Sequence, residues 1–364
     1  MSELTSFRQS DMAKGLVDSI KHHAIKEARY MEFCGSHTVA IMRNGLRQIL
    51  PPMLTLVSGP GCPVCVTSNS ELDKAIALAK VPGVIVTSFG DMIRVPGSNS
   101  NLQEAKANGS DVRIVYSPLD ALELAKTNPD KAVVFIAVGF ETTAPTVAAS
   151  VLQAKQEGLK NYYILSLHKI CPPVIKALLD SGEVNLQGLI CPGHVSAVIG
   201  AKAWDFIAAD YGIPCVVAGF EPLDILQCID MLAQQTAKGE AKVEIAYKRS
   251  VTYDGNITAQ KILEQVFQPC TANWRGMGDV AHSGLKLRTE FAAFDAELKF
   301  DFDPGPTKIQ RGCICGEVLR GVKTPPDCKL FRKVCTPINP IGPCMVSSEG
   351  SCAAYYHYGE SNDR

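Results

Sequence analysis

"VVFIAVGFETTAP", Val133–Pro145, runs apolar and β-branched for half its length, breaks at Gly139, and passes through a polar turn into an Ala-rich stretch. A strand, a glycine turn and a helix in that order form one half of a parallel β-α-β unit. The same order recurs from Met53 onward. Expected strands lie over residues 54–57, 84–87, 112–116, 133–138, 162–165, 188–191 and 215–218. Expected helices lie over 70–79, 101–106, 118–124, 146–156 and 223–235. "CVVAGFEPLD", Cys215–Asp224, repeats the Gly-Phe-Glu turn of the first stretch, which points to two similar Rossmann-like α/β units. The polar, turn-rich "AKTNPDK" at 125–131 divides them into a first α/β domain over 28–128 and a second over 129–250. After Thr252 strand signals thin while Pro, Gly and Cys become dense. Residues 251–364 are therefore expected to form a third domain, with residues 1–27 packed on it.

Ligands of doubly wound sheets sit beyond the carboxyl ends of the strands. The loops there are "SGPGCPVC", "TSFGDMIRVPG", "VGFETT", "CPGHVS" and "AGFEP". They offer Asp91, Arg94, Glu141, Thr142, His194, Ser196 and Glu221 as polar candidates, each of which can also be an ordinary cap or turn residue.

The chain has 364 residues and a formal net charge of −1, too balanced for a nucleic-acid partner. No apolar run approaches the roughly 18 residues that cross a bilayer. The N-terminus lacks a basic segment followed by an apolar one, so a cytoplasmic location is expected. In reducing cytosol the 14 cysteines read as metal-binding, catalytic or buried rather than as structural disulfides. Cys171, Cys191, Cys215, Cys228 and Cys270 have apolar neighbours and read as small buried hydrophobes.

Six cysteines crowd the last stretch, Cys313, Cys315, Cys328, Cys335, Cys344 and Cys352, in "RGCICGEVLRGVKTPPDCKLFRKVC" and "GPCMVSSEGSC". Thiolates bind zinc or iron–sulfur clusters, commonly four at a time. Zinc sites draw on paired CxxC knuckles, and none occurs here. Wide gaps rich in Gly and Pro suit a bulky four-iron cluster better, because its size tolerates ligands from separated loops. One plan makes one of Cys313 and Cys315 a ligand and leaves the other to pair with a further cysteine; spacing leaves open which. Upstream, Cys62 and Cys65 of "GPGCPVC" form a CxxC just after a strand, suited to dithiol exchange or half of a metal site. "MEFCGSHTVAI" sets Cys34 and His37 at metal-ligand spacing, a soft thiolate and a borderline imidazole able to hold iron together.

These motifs, together with "FGDMIRVPG", "PGHVS", "WRGMG" and "GPCMVSSEGSCAAYY", resemble the HypD family of hydrogenase maturation factors in order from about Met31 to Tyr358. The resemblance implies a scaffold that binds the small chaperone HypC, the pair carrying the iron of [NiFe]-hydrogenase while it acquires cyanide and carbon monoxide. Cyanide would arrive from HypE, charged by HypF. It also implies two similar α/β domains and a third holding a [4Fe-4S] cluster in surroundings like those of ferredoxin–thioredoxin reductase. Carried over, Cys313, Cys328, Cys335 and Cys352 are the cluster ligands, and Cys315 and Cys344 are a neighbouring redox pair; Cys313 and Cys315 can exchange roles. Cys62 and Cys65 match the family dithiol, and Cys34 the thiol that holds transient iron. Val39 stands where many relatives carry a second histidine, which counts against any mechanism requiring two; Arg332 stands where glycine is common. Electrons would then pass from the cluster through its neighbouring disulfide and Cys62/Cys65 to iron at Cys34, with HypC seated in an exposed apolar groove near "GPGCPVC". Two other readings are a cluster-dependent protein thiol–disulfide oxidoreductase and a structural interaction protein stapled by its cluster.

Overall fold

The computed structural model describes residues 10–359. Parallel strands run through it as β1 (Ala28–Glu32), β2 (Leu54–Ser58), β3 (Val84–Ser88), β4 (Asp111–Ile114), β5 (Ala132–Ala137), β6 (Tyr162–Ser166), β7 (Gly188–Pro192), β8 (Cys215–Ala218) and β9 (Val243–Ile245). They sort into two sheets, in the orders β2-β1-β7-β8-β9 and β4-β3-β5-β6. An antiparallel hairpin, β10 (Phe267–Trp274) and β11 (Gly278–Leu287), follows. The helices that position the site are α1 (Ser10–His23), α2 (Gly35–Arg43), α3 (Pro63–Val66), α4 (Asn69–Ala79), α5 (Cys171–Ser181), α6 (Pro222–Lys238), α7 (Cys315–Leu319) and α8 (Ser351–Tyr358).

The α/β class and all seven expected strands are present, but the expected division at residues 128 and 129 does not follow the sheets. It falls between β4 and β5, and β3 pairs with both, Ile85 opposite Asp111 and Val84 opposite Ala132. The chain leaves the first sheet after β2, builds the whole second sheet, and returns with β7, which pairs with β1 through Tyr30 and Gly188. "AKTNPDK" is thus an ordinary helix-to-strand connection inside one sheet. Turn chemistry marks where an element stops, whereas pairing partners are chosen across space.

The N-terminal expectation is also corrected. An apolar stripe on α1, including Leu16, Val17 and Ile20, packs with Leu226 and Ile229 of α6 in the core behind β1. His23 Nδ1 lies 3.2 Å from Asp230 Oδ1. The N-terminal helix therefore covers the first sheet rather than the cysteine-rich segment, and residues 1–9 lie outside the described residues.

Residues beyond 251 share their apolar side chains with both sheet units. Phe267, Leu285 and Leu287 are buried with Phe135 and Ile164 of the second sheet, while Trp274, Val280, Cys315 and Leu319 join the core of the first. The hairpin thus straps the two units together.

Candidate thiol and metal centre

β1 and β2 are neighbours, so their carboxyl ends deliver "FCGSH" and "GPGC" side by side. Gly59 N donates to Glu32 O at 2.6 Å, and Gly35 N donates to Gly61 O at 2.9 Å. The two loops touch backbone to backbone: a Cβ on Gly61 would sit 2.2 Å from Cys34 N. Neither backbone can yield, so Gly61→Ala is expected to displace the Cys34 loop and to cost about 1–3 kcal/mol in urea unfolding, the usual range for overpacking.

Glu32, buried at the end of β1, organises this loop. Its carboxylate accepts from Cys34 N at 3.1 Å and from Thr38 Oγ1 at 2.5 Å. Burial pushes Glu32 up to about 7. Burial also pushes the half-buried Cys34 thiol up to about 12, and the Glu349 carboxylate adds to this. Cys34 therefore rests as a thiol at neutral pH, a poor nucleophile for disulfide exchange. His37 is buried, and burial lowers it to about 4, so the ring is neutral. Its Nε2 donates to Gly219 O at 2.9 Å, which leaves the Nδ1 lone pair without a partner among the described residues. Phe220 stacks between His37 and His194, at 4.6 Å and 3.8 Å between ring centroids.

Cys62 and Cys65 form a disulfide across the start of α3, where Pro63 supplies the first helical position. Both are buried, at 3% and 0% exposure. Cys65 Sγ faces Pro343 O at 4.0 Å, one residue before Cys344. Arg275 of "WRGMG" clamps this helix. Its guanidinium donates to Cys65 O at 3.1 Å, Thr67 O at 2.8 Å and Asn69 Oδ1 at 2.6 Å. The next residue, Gly276, packs on Gly316 so closely that a Cβ would lie 2.4 Å from Gly316 Cα. "WRG" is thus the physical bridge between the CxxC helix and the CxC turn.

All six C-terminal cysteines line one pocket, together with Val318, Leu330, Phe331 and Met345. The CxC is not extended: Ile314 turns, and Cys315 opens α7. The Cys315 thiol is hydrogen-bonded to those of Cys313 and Cys344 and is held low by them and by Arg275, while Cys344 and Cys313 are pushed up. On its far side the segment meets Cys34's helix, for Ser36 Oγ donates to Glu349 Oε1 at 2.5 Å and Gly35 abuts Glu349.

Convergence of these three thiol motifs, separated along the chain, is matched by comparison with known proteins. The family model described as HypD, "Hydrogenase formation hypA family", matches residues 11–359. The chain belongs to the HypD family. It is 45% identical over 373 residues to "Hydrogenase maturation factor HypD" of Cupriavidus necator, covering 100% of this chain and 98% of that protein. It is also 45% identical over 342 residues to the factor of the same name from Escherichia coli, covering 93% and 91%. "Hydrogenase expression/formation protein HupD" of Azotobacter chroococcum is 46% identical, with 99% and 97% covered.

For a HypD-family chain the cysteine pocket can be tested against the [4Fe-4S] cluster that the resemblance implies. The donor set is thiol only and the walls are apolar. Cys335 Sγ accepts Ile341 N–H at 3.4 Å, the kind of contact that tunes a cluster sulfur. Gly342 leaves the space open, since a Cβ there would come within 2.7 Å of Cys313 Sγ. Among the described residues no group of three or more His, Cys, Asp and Glu is arranged to hold a single metal ion. A thiol-only donor set with apolar walls is of the kind that fits a four-iron cluster.

Of the polar candidates, Glu141 is brought toward the site, while Ser196 serves the core by accepting Trp204 Nε1 at 2.9 Å, and Glu221 belongs to the capping box of α6. The side chains of Asp91, Arg94 and Thr142 make no hydrogen bond or ion pair among the described residues. Val39 packs with Met42 and Tyr355. Arg332, at a φ of 57°, ties α8 by donating to the carbonyls of Tyr355 and Gly359 at 2.9 and 2.7 Å. Four participants escaped the sequence reading: Glu32, Arg275, Glu349 and Cys171. Cys171, read as a plain core residue, donates its N–H to Glu141 Oε1 at 2.8 Å and hydrogen-bonds that carboxylate through its thiol.

Burial pushes Glu141 up to about 7 from an ordinary 4.5. The unfolded chain loses this proton first, so the folded state is progressively penalised as pH rises from about 4.5 to about 7, and the penalty is constant above. Buried His37 and His168, both lowered, act in the opposite sense below the ordinary histidine range, so the signal is read as a difference. Glu141→Gln is expected to gain roughly 3 kcal/mol relative to the parent across that window, measured by urea unfolding at both ends.

Proposed function

We propose that this chain is a [NiFe]-hydrogenase maturation scaffold that, with HypC, holds iron as the cargo while it acquires cyanide and carbon monoxide. The reading rests on one observation: Cys34, the Cys62–Cys65 disulfide and the six-thiol pocket meet around Gly35, Gly61, Pro343 and Glu349. Cys34 supplies a soft ligand from which the incoming metal displaces a proton, and neutral His37 stands three residues on with a free lone pair. Cys313, Cys328, Cys335 and Cys352 would hold the cluster, with Cys315 and Cys344 as the adjacent pair. Bound there, a [4Fe-4S] cluster supplies single electrons at low potential.

The chain's own chemistry is thiol exchange. A thiolate of the Cys315–Cys344 pair attacks one sulfur of the Cys62–Cys65 disulfide, the second thiol resolves the mixed disulfide, and Cys62 and Cys65 take up two protons as the first pair becomes the disulfide. Pro343 beside Cys65 sets the approach, and Arg275 holds α3 in place. HypC would reach Cys34 from the cleft of about 740 Å³ bordered by Ser36, Val39, Phe220 and Glu349. HypE, charged by HypF, would deliver cyanide. The rival thiol–disulfide oxidoreductase is disfavoured by the burial of both CxxC sulfurs, which a protein disulfide could not reach.

The test is infrared spectroscopy of the anaerobically purified chain co-expressed with HypC, HypE and HypF, alongside iron and sulfide analysis. Cyanide and carbon monoxide bands with iron in excess of a four-iron cluster are expected. A cluster without those bands, with chaperone bound and cyanide supply active, would shift the assignment to the oxidoreductase.

A further inference from the structure

The turn at Arg311–Cys313 packs on Leu330, since a Cβ at Gly312 would lie 3.7 Å from Leu330 Cδ1, and Cys328 Sγ faces Gly312 O at 3.9 Å. The amides of Lys333, Val334 and Cys335 all turn back onto Leu330 O, at 3.2, 3.2 and 2.9 Å. The two turns therefore make one continuous surface around the thiols of Cys313, Cys328 and Cys335. Arg311, Lys329 and Lys333 stand exposed on it, and none of their side chains has a hydrogen-bond or ion-pair partner among the described residues. The other arginines of the segment are occupied, Arg320 by Glu183 and Arg332 by the carbonyls of α8. Asp327 is occupied as well, by the Thr324 capping box. Val334 and Ile338 are 52% and 97% exposed beside the cations. In a chain of net charge −1 this is a local concentration of unpaired positive charge and bare apolar surface.

We infer that this face docks an acidic one-electron carrier protein. The inference rests on the cluster reading of the pocket beneath it. Three unpaired cations around apolar contacts match a compact acidic patch better than an extended phosphate backbone, which demands a longer basic track. The half-buried thiols of Cys313 and Cys328 lie in the same turns, so a carrier seated here is next to the acceptor. In the step, the carrier loses one electron and the centre gains one; no bond forms or breaks. Charge complementarity of this kind acts mainly on the association rate and weakens with salt.

The experiment uses the full chain with its cluster reconstituted and a reduced acidic bacterial ferredoxin as probe, followed by stopped-flow absorbance for cluster reduction and by calorimetry for binding. In the triple variant R311E/K329E/K333E the second-order rate at low salt is expected to fall at least about ten-fold, the scale of electrostatic steering. Binding should weaken in parallel, and the parent's salt dependence should flatten. Reduction by photogenerated deazaflavin radical, which needs no docking face, should be equal in both proteins. Equal ferredoxin rates in parent and variant would overturn the docking face, as would tight binding of phosphatidylserine vesicles by the parent with none of ferredoxin. A parent chain that retains no four-iron cluster by iron and sulfide analysis would remove the cluster reading itself, and the inference with it.

Discussion

Replacing Cys34 by alanine is expected to abolish the cyanide and carbon monoxide infrared bands completely while the four-iron content remains. The expectation follows from how the loop is held. Glu32 grips the Cys34 backbone N–H, Gly61 packs on its peptide, and the Cys34 side chain makes no capping hydrogen bond to α2. Removing the sulfur deletes a ligand and little of the fold. The thiols proposed to hold the cluster, Cys313, Cys328, Cys335 and Cys352, line a separate pocket and gain or lose nothing directly. Bands surviving in Cys34→Ala would show that the iron is attached elsewhere. Loss of both the bands and the cluster iron would show that the two centres do not assemble independently.

Lys169→Ala is expected to produce the largest loss of stability, about 3–5 kcal/mol by urea unfolding, the cost of breaking a buried ion pair from one side. The Lys169 side chain is 1% exposed and its Nζ contacts Glu71 Oε1, itself 13% exposed. Glu71 also completes the capping box with Ser68 that opens α4, just after the CxxC helix. The Lys169 backbone forms a β-bridge with Gly284 of the hairpin, so this residue joins the strap through its main chain and the helix that follows the dithiol through its ion pair. Lys169→Met combined with Glu71→Gln should recover much of the loss, because no charge is stranded while the cap is kept. If the double variant is no more stable than Lys169→Ala, packing rather than charge sets the cost.

What could be read from the residues alone follows from the kind of signal each carries. β3, β5, β6, β7 and β8 announce themselves, being short β-branched apolar runs that end in turn residues. β1, "ARYME", does not: Arg29 and Glu32 interrupt its apolar character, and Glu32 is there for the loop it organises rather than for the sheet. β9 is three residues long and half-buried throughout, too little for any periodicity to show. The cysteine motifs were legible because thiols in such spacings have few uses other than metal binding and thiol exchange. Arg275 and Glu349 were not, because their importance lies in contacts made across the chain, to Cys65 and Ser36. Cys171 looked like any small apolar residue until Glu141 was found beside it.

The pairing of β1 with β7 rather than with β3 carries a consequence for assembly on the ribosome. Strands β3 to β6 are contiguous in the chain and can close their sheet as soon as they have emerged. β1 and β2, which carry the Cys34 and CxxC loops, must wait for β7 across the entire inserted unit, a long-range closure of the kind that slows folding. The Cys34 and CxxC loops are therefore among the first residues synthesised and among the last to be fixed, and their thiols stay open to solvent metals and oxidants until synthesis has passed Pro192.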